Sequence, residues 1–172
     1  MLNSKELHFT SDKPYPAQTA VEKNKLYGKW MLDNMGGIHS EMSAISLYVY
    51  NSMIIDERYE DVVFVFEKIS MVEMRHLKMF GQMAYSLGED PRLWSQNRNR
   101  KIYWSPGYNP YTADMKGLMY KSLEGELGAM EKYRQQADSC EDENVRALLA
   151  RIILDEELHA DIFRQILRIY QL

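Results

Sequence analysis

One pattern occurs twice in this chain of 172 residues and constrains its fold more than any other feature. The skeleton Glu-x-x-Ala-x-x-x-Tyr begins at Glu41 and again at Glu126. Roughly 30 residues after each copy comes a Glu-x-x-His, first at Glu73-Met74-Arg75-His76 and then at Glu156-Glu157-Leu158-His159. The order Glu, Glu-x-x-His, Glu, Glu-x-x-His predicts four helices arranged as two related hairpins.

Apolar residues at steps of three and four support these helices and place the pattern on their inner faces. We predict a first helix from about residue 21 to a short connection at 56–58, with Gly36-Gly37 either inside it or breaking it. The second ends at Leu87-Gly88. The third starts after Thr112 as N-cap, and the fourth follows a turn at 139–142. The face predicted around the first glutamate comprises Ile38, Ala44, Ile45, Tyr48 and Ser52.

Two segments lack a helical period. Residues 1–21, which include Pro14 and Pro16, are predicted to be an extended tail laid across the body. Residues 88–111 are predicted to be an irregular crossover, which at about 70 Å can run back along a helix of about 42 Å. The third helix then starts parallel to the second. Residues 22–172 are thus predicted to form one all-α, up-down-down-up four-helix bundle.

Charge and cysteine content exclude several classes of protein. The net charge of -4 argues against a nucleic-acid partner. The single cysteine, Cys140, excludes a disulfide framework and any Cys-x-x-Cys pair of the rubredoxin or zinc-ribbon type. No apolar run has membrane-spanning length and the first residues do not look like a signal peptide, so we expect a cytoplasmic protein with no membrane partner.

Each Glu-x-x-His places its two side chains one helical turn apart on an apolar face. A single match is weak, since roughly a third of one is expected by chance in a chain of this composition. Two matches at equivalent places in a repeat predict a shared site. Four buried carboxylates without partners would cost several kcal/mol each, whereas two divalent ions balance their charge. One histidine per ion among carboxylates favours iron or manganese over structural zinc.

This arrangement resembles the ferritin-like di-iron carboxylate proteins, over roughly residues 22–171. It is most similar to rubrerythrin and bacterioferritin-type sites. The resemblance implies six ligands for two iron ions, with manganese as the alternative. Two glutamates bridge both ions and each ion takes one further glutamate and one histidine: Glu73 and Glu156 bridge, Glu41 and His76 complete one ion, and Glu126 and His159 complete the other.

Three residues beside this set are candidates for supporting roles. Asp155 could hold a histidine of the opposite helix, or be a solvated helix acid. Tyr48 and Tyr133 each lie two turns after a proposed ligand. They could hydrogen-bond a ligating carboxylate or quench oxidising equivalents, and are therefore catalytic candidates, or they could be ordinary core tyrosines.

The resemblance implies an oxidoreductase that reduces hydrogen peroxide or dioxygen, working as a homodimer. Because no rubredoxin module is present, a separate electron donor protein is implied. Three features depart from the related families. Ala129 stands where rubrerythrins usually add a glutamate, no fifth helix supports a mineral-storing shell, and Met74 occupies the position of the haem-ligating methionine of bacterioferritins.

Several alternatives fit the same sequence. Gly36-Gly37 and the early Tyr-Pro also resemble manganese catalases and related spore-coat proteins, which usually lack a ligating glutamate at the position of Glu156. A ferroxidase or iron-handling protein and a structural assembly protein are further alternatives. Cys140 has no neighbouring histidine to make it reactive. Basic residues of the crossover could dock a redox partner or form a solvated loop: Arg92, Arg98, Arg100 and Lys101.

Overall fold

The computed structural model describes residues 2–97 and 100–172. Five helices account for most of this part of the chain: α1 Lys25–Gly36, α2 Glu41–Ile54, α3 Glu60–Ser86, α4 Met115–Asp138 and α5 Glu143–Ile169. Two short strands, β1 Trp94–Asn97 and β2 Arg100–Tyr103, lie between α3 and α4. Single turns of 3₁₀ helix occur at Ser4–Glu6, Glu57–Tyr59 and Pro106–Tyr108.

Side-chain pairs across the bundle define the directions of its helices. The tyrosine ring of Tyr48 packs on Phe66, whereas Glu41 faces His76, so α2 and α3 are antiparallel. Tyr48 also donates a hydrogen bond to Glu126, and Tyr133 donates one to Glu41, so α2 and α4 are antiparallel too. Because α3 and α4 are both antiparallel to α2, they run parallel to each other, and α4 forms a second hairpin with α5. The predicted all-α bundle of two helix hairpins joined by a long crossover is confirmed.

The first arm of the bundle is two helices rather than one continuous helix. Helix α1 begins at Lys25, not near residue 21, and its N-cap is Asn24. It ends at Gly36, and α2 begins at Glu41 after four intervening residues, the last of which is the N-cap Ser40. The predicted inner face is therefore wrong at one place, since Ile38 lies in the break with 53% exposure, whereas Ser52 is partly buried.

Gly36 explains where this break occurs. A Cβ built on Gly36 would lie 2.9 Å from the backbone of Leu93 and Trp94, so the end of α1 lies directly against the crossover. Adjacent glycines also cost a helix up to about 1 kcal/mol each relative to alanine. The break places Glu41 in the first turn of α2, where the positive end of the helix dipole favours a carboxylate.

The crossover contains a hairpin that the sequence patterns do not predict. Strands β1 and β2 pair antiparallel, with Trp94 opposite Tyr103 and their rings 5.4 Å apart. The ammonium group of Lys101 lies 3.6 Å above the Trp94 ring. Trp94 is buried against α1, so this hairpin covers one end of the bundle. Arg98, one of the predicted basic residues, lies outside the described residues.

The N-cap of α4 is Asp114, so the predicted cap at Thr112 is wrong. The Asp114 carboxylate accepts a hydrogen bond from the Gly117 amide at 2.7 Å. Thr112 instead donates its hydroxyl to the same carboxylate, also at 2.7 Å. A carboxylate at the cap is favoured over a hydroxyl because it also carries the charge that the helix dipole attracts. The predicted turn before α5 is confirmed, with Asp142 as its N-cap.

Two apolar clusters fill the bundle and leave a polar layer between them. Along α3, one cluster includes Phe66 and Ile69 and the other includes Met79 and Phe80. The residues between them on α3 are Glu73 and His76, which the sequence marks as a site. None of the helices in the described ranges is both long and apolar enough to cross a membrane.

The N-terminal tail lies along α5 and runs in the opposite direction. Its first described residue, Leu2, donates its amide to Asp61 at the start of α3. Further along, the amide of Ser11 donates to Asp155, and the amide of Val21 donates to Asp142 at the start of α5. The tail therefore follows α5 along most of its length before α1 begins.

The contact between α1 and the crossover leads to a test with a matched pair of glycines. We expect Gly36→Ala to destabilise the protein by about 1–3 kcal/mol, because the new methyl group meets backbone that cannot move aside easily. The control is Gly128→Ala on the exposed surface of α4, where a Cβ meets nothing within 4 Å. That change should stabilise by up to about 1 kcal/mol. Urea unfolding of both variants measures the two effects, and equal effects would contradict the packing argument.

Candidate metal centre

Six ionisable side chains meet in the polar layer, and all four arms of the bundle contribute. They are 0–3% exposed. Helix α2 contributes one, α4 contributes one, and α3 and α5 contribute two each: Glu41, Glu126, Glu73 with His76, and Glu156 with His159. The structure thus brings together all six residues that the sequence pattern identifies as candidate ligands.

Possible ligand atoms fall into two groups of four, and within each group they lie within 4.8 Å of one another. Both groups include Glu73 and Glu156. The first group adds Glu41 and His76, and the second adds Glu126 and His159. This division is the one that the resemblance implies, with two shared carboxylates and one carboxylate and one histidine on each side. That these residues bind metal stays a prediction.

The two halves of the site have nearly the same geometry. The Nδ1 atom of His76 lies 2.8 Å from Glu73, 3.2 Å from Glu156 and 3.9 Å from Glu41. The corresponding atom of His159 lies 2.9 Å from Glu73, 3.3 Å from Glu156 and 3.9 Å from Glu126. Each imidazole therefore points one nitrogen at both shared carboxylates and at its own terminal carboxylate.

The two shared carboxylates can accept more hydrogen bonds than the described part of the chain donates to them. Within the described part of the chain, Glu73 Oε1 and Glu156 Oε1 are fully buried and accept no well-directed hydrogen bond. Histidine nitrogens lie close to both oxygens but at unfavourable angles. Buried carboxylate oxygens without donors are costly, and two divalent cations would satisfy them and balance four negative charges. The donor set fits a pair of metal ions.

Hydrogen bonds at the outer nitrogen, Nε2, of each histidine select the tautomer needed for metal binding, in which Nδ1 can bind an ion. His159 Nε2 lies 2.9 Å from the carbonyl oxygen of Phe9, and His76 Nε2 lies 3.0 Å from Asp155. A carbonyl oxygen only accepts, so Nε2 of His159 carries a proton. Burial alone would raise the pKa of Asp155, but hydrogen bonds from His76, Tyr15 and Arg151 lower it to about 2. It is therefore an acceptor, and both Nδ1 atoms are left for ions.

The two candidate tyrosines bond the terminal glutamates in a crossed arrangement. Tyr48 of α2 donates to Glu126 Oε1 of α4 at 2.5 Å. Tyr133 of α4 donates to Glu41 Oε1 of α2. Burial, followed by the neighbouring carboxylates, raises the pKa of both phenols well above the usual value, so both remain protonated donors. The sequence-based suggestion of a hydrogen bond to a carboxylate fits this geometry.

The metal-free cluster holds extra protons. Burial and then the charge of Glu73 raise the pKa of Glu41 and of Glu126 well above the usual carboxyl value. Burial would lower the pKa of each histidine, but facing carboxylates raise it well above the usual value. Without metal, each imidazolium thus carries a proton on the Nδ1 atom that an ion would need.

Metal loading should therefore release protons and weaken at low pH. Each ion displaces a proton from one imidazole, so we expect loading near pH 7 to release at least about two protons per chain. Calorimetric titration of the metal-free protein with Mn(II) in buffers of different ionisation enthalpy counts these protons. Apparent affinity should fall as the pH is lowered from about 7 to about 5, since the ligands are then protonated more fully. Loading without proton uptake by the buffer would contradict this description of the cluster.

Three further groups around the site are not predicted by the sequence patterns. Arg151 is 5% exposed and donates to Asp155 at 2.7 Å. Tyr15 also donates to Asp155, at 2.5 Å, and Phe9 supplies a carbonyl. Arg151 lies one turn before Asp155 on the same helix, a spacing that could have indicated the ion pair. A contact with an irregular tail leaves no such periodic signal.

Other candidate residues lie apart from the cluster. Met74 is 47% exposed on the outer surface of α3. Ala129 is partly buried on α4 and brings no seventh ligand. Cys140 is buried in the turn before α5. Two of the basic crossover residues have local partners, since Arg92 pairs with Asp90 and Lys101 covers Trp94.

Comparison with known structures supports the fold. The chain is similar to KatB, a manganese catalase from Anabaena, with a TM-score of 0.80 and 20% identity over 96% of this chain and 81% of that one. It is also similar to a dodecameric thioferritin from Bacteroides fragilis, described as bacterioferritin-related, with a TM-score of 0.70 and 16% identity over 86% and 87% of the two chains. No curated protein matches the sequence.

The family assignment comes from the sequence itself. The rubrerythrin family profile matches residues 35–167, which include all six residues of the cluster. This match covers well over half of the chain, and the buried cluster of carboxylates and histidines fits the di-metal site of that family. The predicted resemblance is confirmed: the chain belongs to the rubrerythrin family.

Proposed function

We propose that this protein is a non-haem di-iron oxidoreductase that reduces hydrogen peroxide or dioxygen. The position of Glu156 carries the proposal. It lies with Glu73 between the two histidines, within 3.3 Å of one and 3.2 Å of the other. The centre therefore offers six donors with two shared carboxylates. The rubrerythrin family supports a di-metal oxidoreductase. The donor set suits iron or manganese, and the glutamate at position 156, which manganese catalases usually lack, favours iron.

A bound pair of iron ions would supply the two electrons that convert one hydrogen peroxide and two protons into two waters. The protein residues have other tasks. The six donors would hold the ions, with Glu41 and His76 on one side and Glu126 and His159 on the other. Tyr48 packs on Phe66 and Phe163, and this apolar wall keeps bulk water away from the polar layer.

Tyr48 and Tyr133 are proposed to serve the reaction in two ways. Their hydroxyls fix one oxygen of each terminal glutamate, so that the other oxygen faces the centre. When no external electron arrives, each phenol could also give one electron to the centre and its proton to the glutamate to which it donates. Because their pKa values are raised, both enter the reaction as neutral phenols.

Electrons are proposed to come from a separate donor protein. The chain has one cysteine, so it has no Cys-x-x-Cys pair of its own with which to build a rubredoxin-type iron centre. A homodimer, as the resemblance to rubrerythrin implies, located in the cytoplasm completes the proposal.

A second candidate is peroxide disproportionation of the manganese catalase kind. The structural similarity to KatB, described as a manganese catalase, favours it. It needs no electron donor, because one peroxide is oxidised to dioxygen while another is reduced to water. The two candidates therefore differ in what they consume and what they release.

The test loads the purified chain anaerobically with Fe(II) or with Mn(II) and adds hydrogen peroxide. For the proposed function, we expect the Fe(II) form to consume about one peroxide per two ions, stop, and resume when a reductant is added, with no dioxygen released. A catalase would instead release about one dioxygen per two peroxides with Mn(II) and no reductant. Multiple turnover with dioxygen release would overturn the first candidate in favour of the second.

A further inference from the structure

The N-terminal tail reaches the outer nitrogen of one histidine of the centre directly and that of the other through Asp155. On one route the carbonyl of Phe9 faces His159 Nε2 directly, at 2.9 Å. On the other route Asp155 lies between the tail and His76. No other segment outside the helices makes a hydrogen bond to either imidazole among the described residues.

Asp155 is fixed by the tail as much as by its own helix. It is fully buried and accepts four hydrogen bonds. The tail gives two of them, from the Ser11 amide at 2.7 Å and from the Tyr15 hydroxyl at 2.5 Å. The others come from His76 and from Arg151. Both carboxylate oxygens are thus engaged, and neither can rotate away from His76 without losing a charge-assisted bond.

Arg151 joins the tail to α5 with its remaining nitrogens. Its Nε donates to the carbonyl of Lys13 at 2.7 Å and one terminal nitrogen donates to the carbonyl of Ser11 at 2.8 Å. The guanidinium also stacks 4.0 Å above the ring of Tyr15. A buried arginine whose donors are used by main-chain carbonyls holds this stretch of backbone at a fixed place.

From these contacts we propose that residues 9–15 position both histidines of the metal centre and so control how tightly each ion is held. Phe9 acts on His159 through its carbonyl, and Tyr15 acts on His76 through Asp155. This inference rests on the metal centre of the proposed function and is independent of whether that centre is a peroxidase or a catalase. Partners of this kind around metal-binding histidines are worth about 10–100-fold in metal affinity.

The two routes make a specific prediction, because each should affect a different ion. The full chain is loaded with Mn(II), and release to excess chelator is followed from the signal of the free ion. In Tyr15→Phe we expect one of the two ions to leave about 10-fold faster and the other at the parent rate. In Phe9→Ala, which removes the ring that anchors this backbone against Phe64, the other ion should leave faster. The double variant should release both ions faster.

A matched control separates positioning from general stability. Tyr170 donates to Asp61 at 2.5 Å, the same tyrosine–aspartate bond at a place away from the centre. Tyr170→Phe should release both ions at the parent rate. Phe9→Leu, which keeps a large apolar anchor, should restore slow release relative to Phe9→Ala.

The outcomes distinguish this inference from the proposed function. If the parent chain retains two ions while Tyr15→Phe releases both at the parent rate, the tail does not position His76 and the inference is overturned. Equal acceleration of both ions by Tyr15→Phe also overturns it, because the effect would then be a general loosening. If the parent chain takes up no metal, the centre itself is overturned and the inference with it.

Discussion

Replacing Glu73 by alanine should reduce bound metal from about two ions to one or none and lower peroxide turnover by at least about 100-fold. Losing a group that only hydrogen-bonds a metal ligand costs up to about 100-fold, and Glu73 is itself a proposed ligand. Glu73 belongs to both groups of ligand atoms, and its oxygens lie within 2.9 Å of both histidines. Its loss therefore removes one donor from each ion. The remaining carboxylates can no longer balance four positive charges.

The control for this change is Glu67→Ala, six residues earlier on α3, where the side chain is exposed. That variant should bind about two ions and keep the parent turnover. Metal content by elemental analysis and peroxide consumption are measured on the same samples. Glu73→Gln keeps the shape of the side chain and should lose metal almost as fully, because an amide supplies no charge. Two firmly bound ions in Glu73→Ala would show that this glutamate does not bridge them.

The candidate site could be located from the sequence because its residues lie on regular helices. A spacing of three residues puts Glu73 next to His76 whatever the rest of the chain does, and the same holds for Glu156 and His159. The two halves then had to meet, since neither could bury its carboxylates alone. Neither step depends on the conformation of the loops.

Features outside the helical period could not be predicted in the same way. The break after Gly36 depends on a backbone approach from Leu93, which is distant in sequence. Hairpin β1–β2 depends on Trp94 meeting Tyr103 without any glycine between the strands to mark the turn. The role of the tail depends on main-chain carbonyls, and every residue type has one. Composition and periodicity give no information about contacts of these kinds.

Metal removal should lower the melting temperature by about 10–20 °C. If free ions are present at about 100 times the dissociation constant, each site adds about 2.7 kcal/mol to the free energy of unfolding. For a chain of this size 1 kcal/mol changes the melting temperature by about 2–4 °C. Calorimetric scans of the loaded protein and of the chelated protein measure the difference. Equal melting temperatures would contradict binding of ions to the folded state.

The metal-free and metal-loaded forms should respond in opposite directions to Glu41→Gln. Burial and the charge of Glu73 raise the folded-state pKa of Glu41 above its unfolded value. A raised pKa means that the protonated group contributes stability at low pH, which is lost as the pH rises through the folded pKa. Glutamine keeps an acceptor for Tyr133 without the charge, so the metal-free variant should melt a few degrees higher than the metal-free parent, with a gain that grows from pH 5 to pH 8.

With metal present the same variant should be the less stable chain, because one ion has lost a charged ligand. The loaded parent and loaded Glu41→Gln are compared under identical Mn(II) concentrations, since the stabilisation depends on free ion. Glu67→Gln on the exposed surface of α3 should leave both forms within about 0.5 kcal/mol of the parent. Such a reversal of order would show that the carboxylate layer is retained at a cost to the metal-free fold, which is expected of a binding site and not of a structural core. Destabilisation of the metal-free form by Glu41→Gln would contradict this, and would mean that the charge of Glu41 is already compensated by the protein.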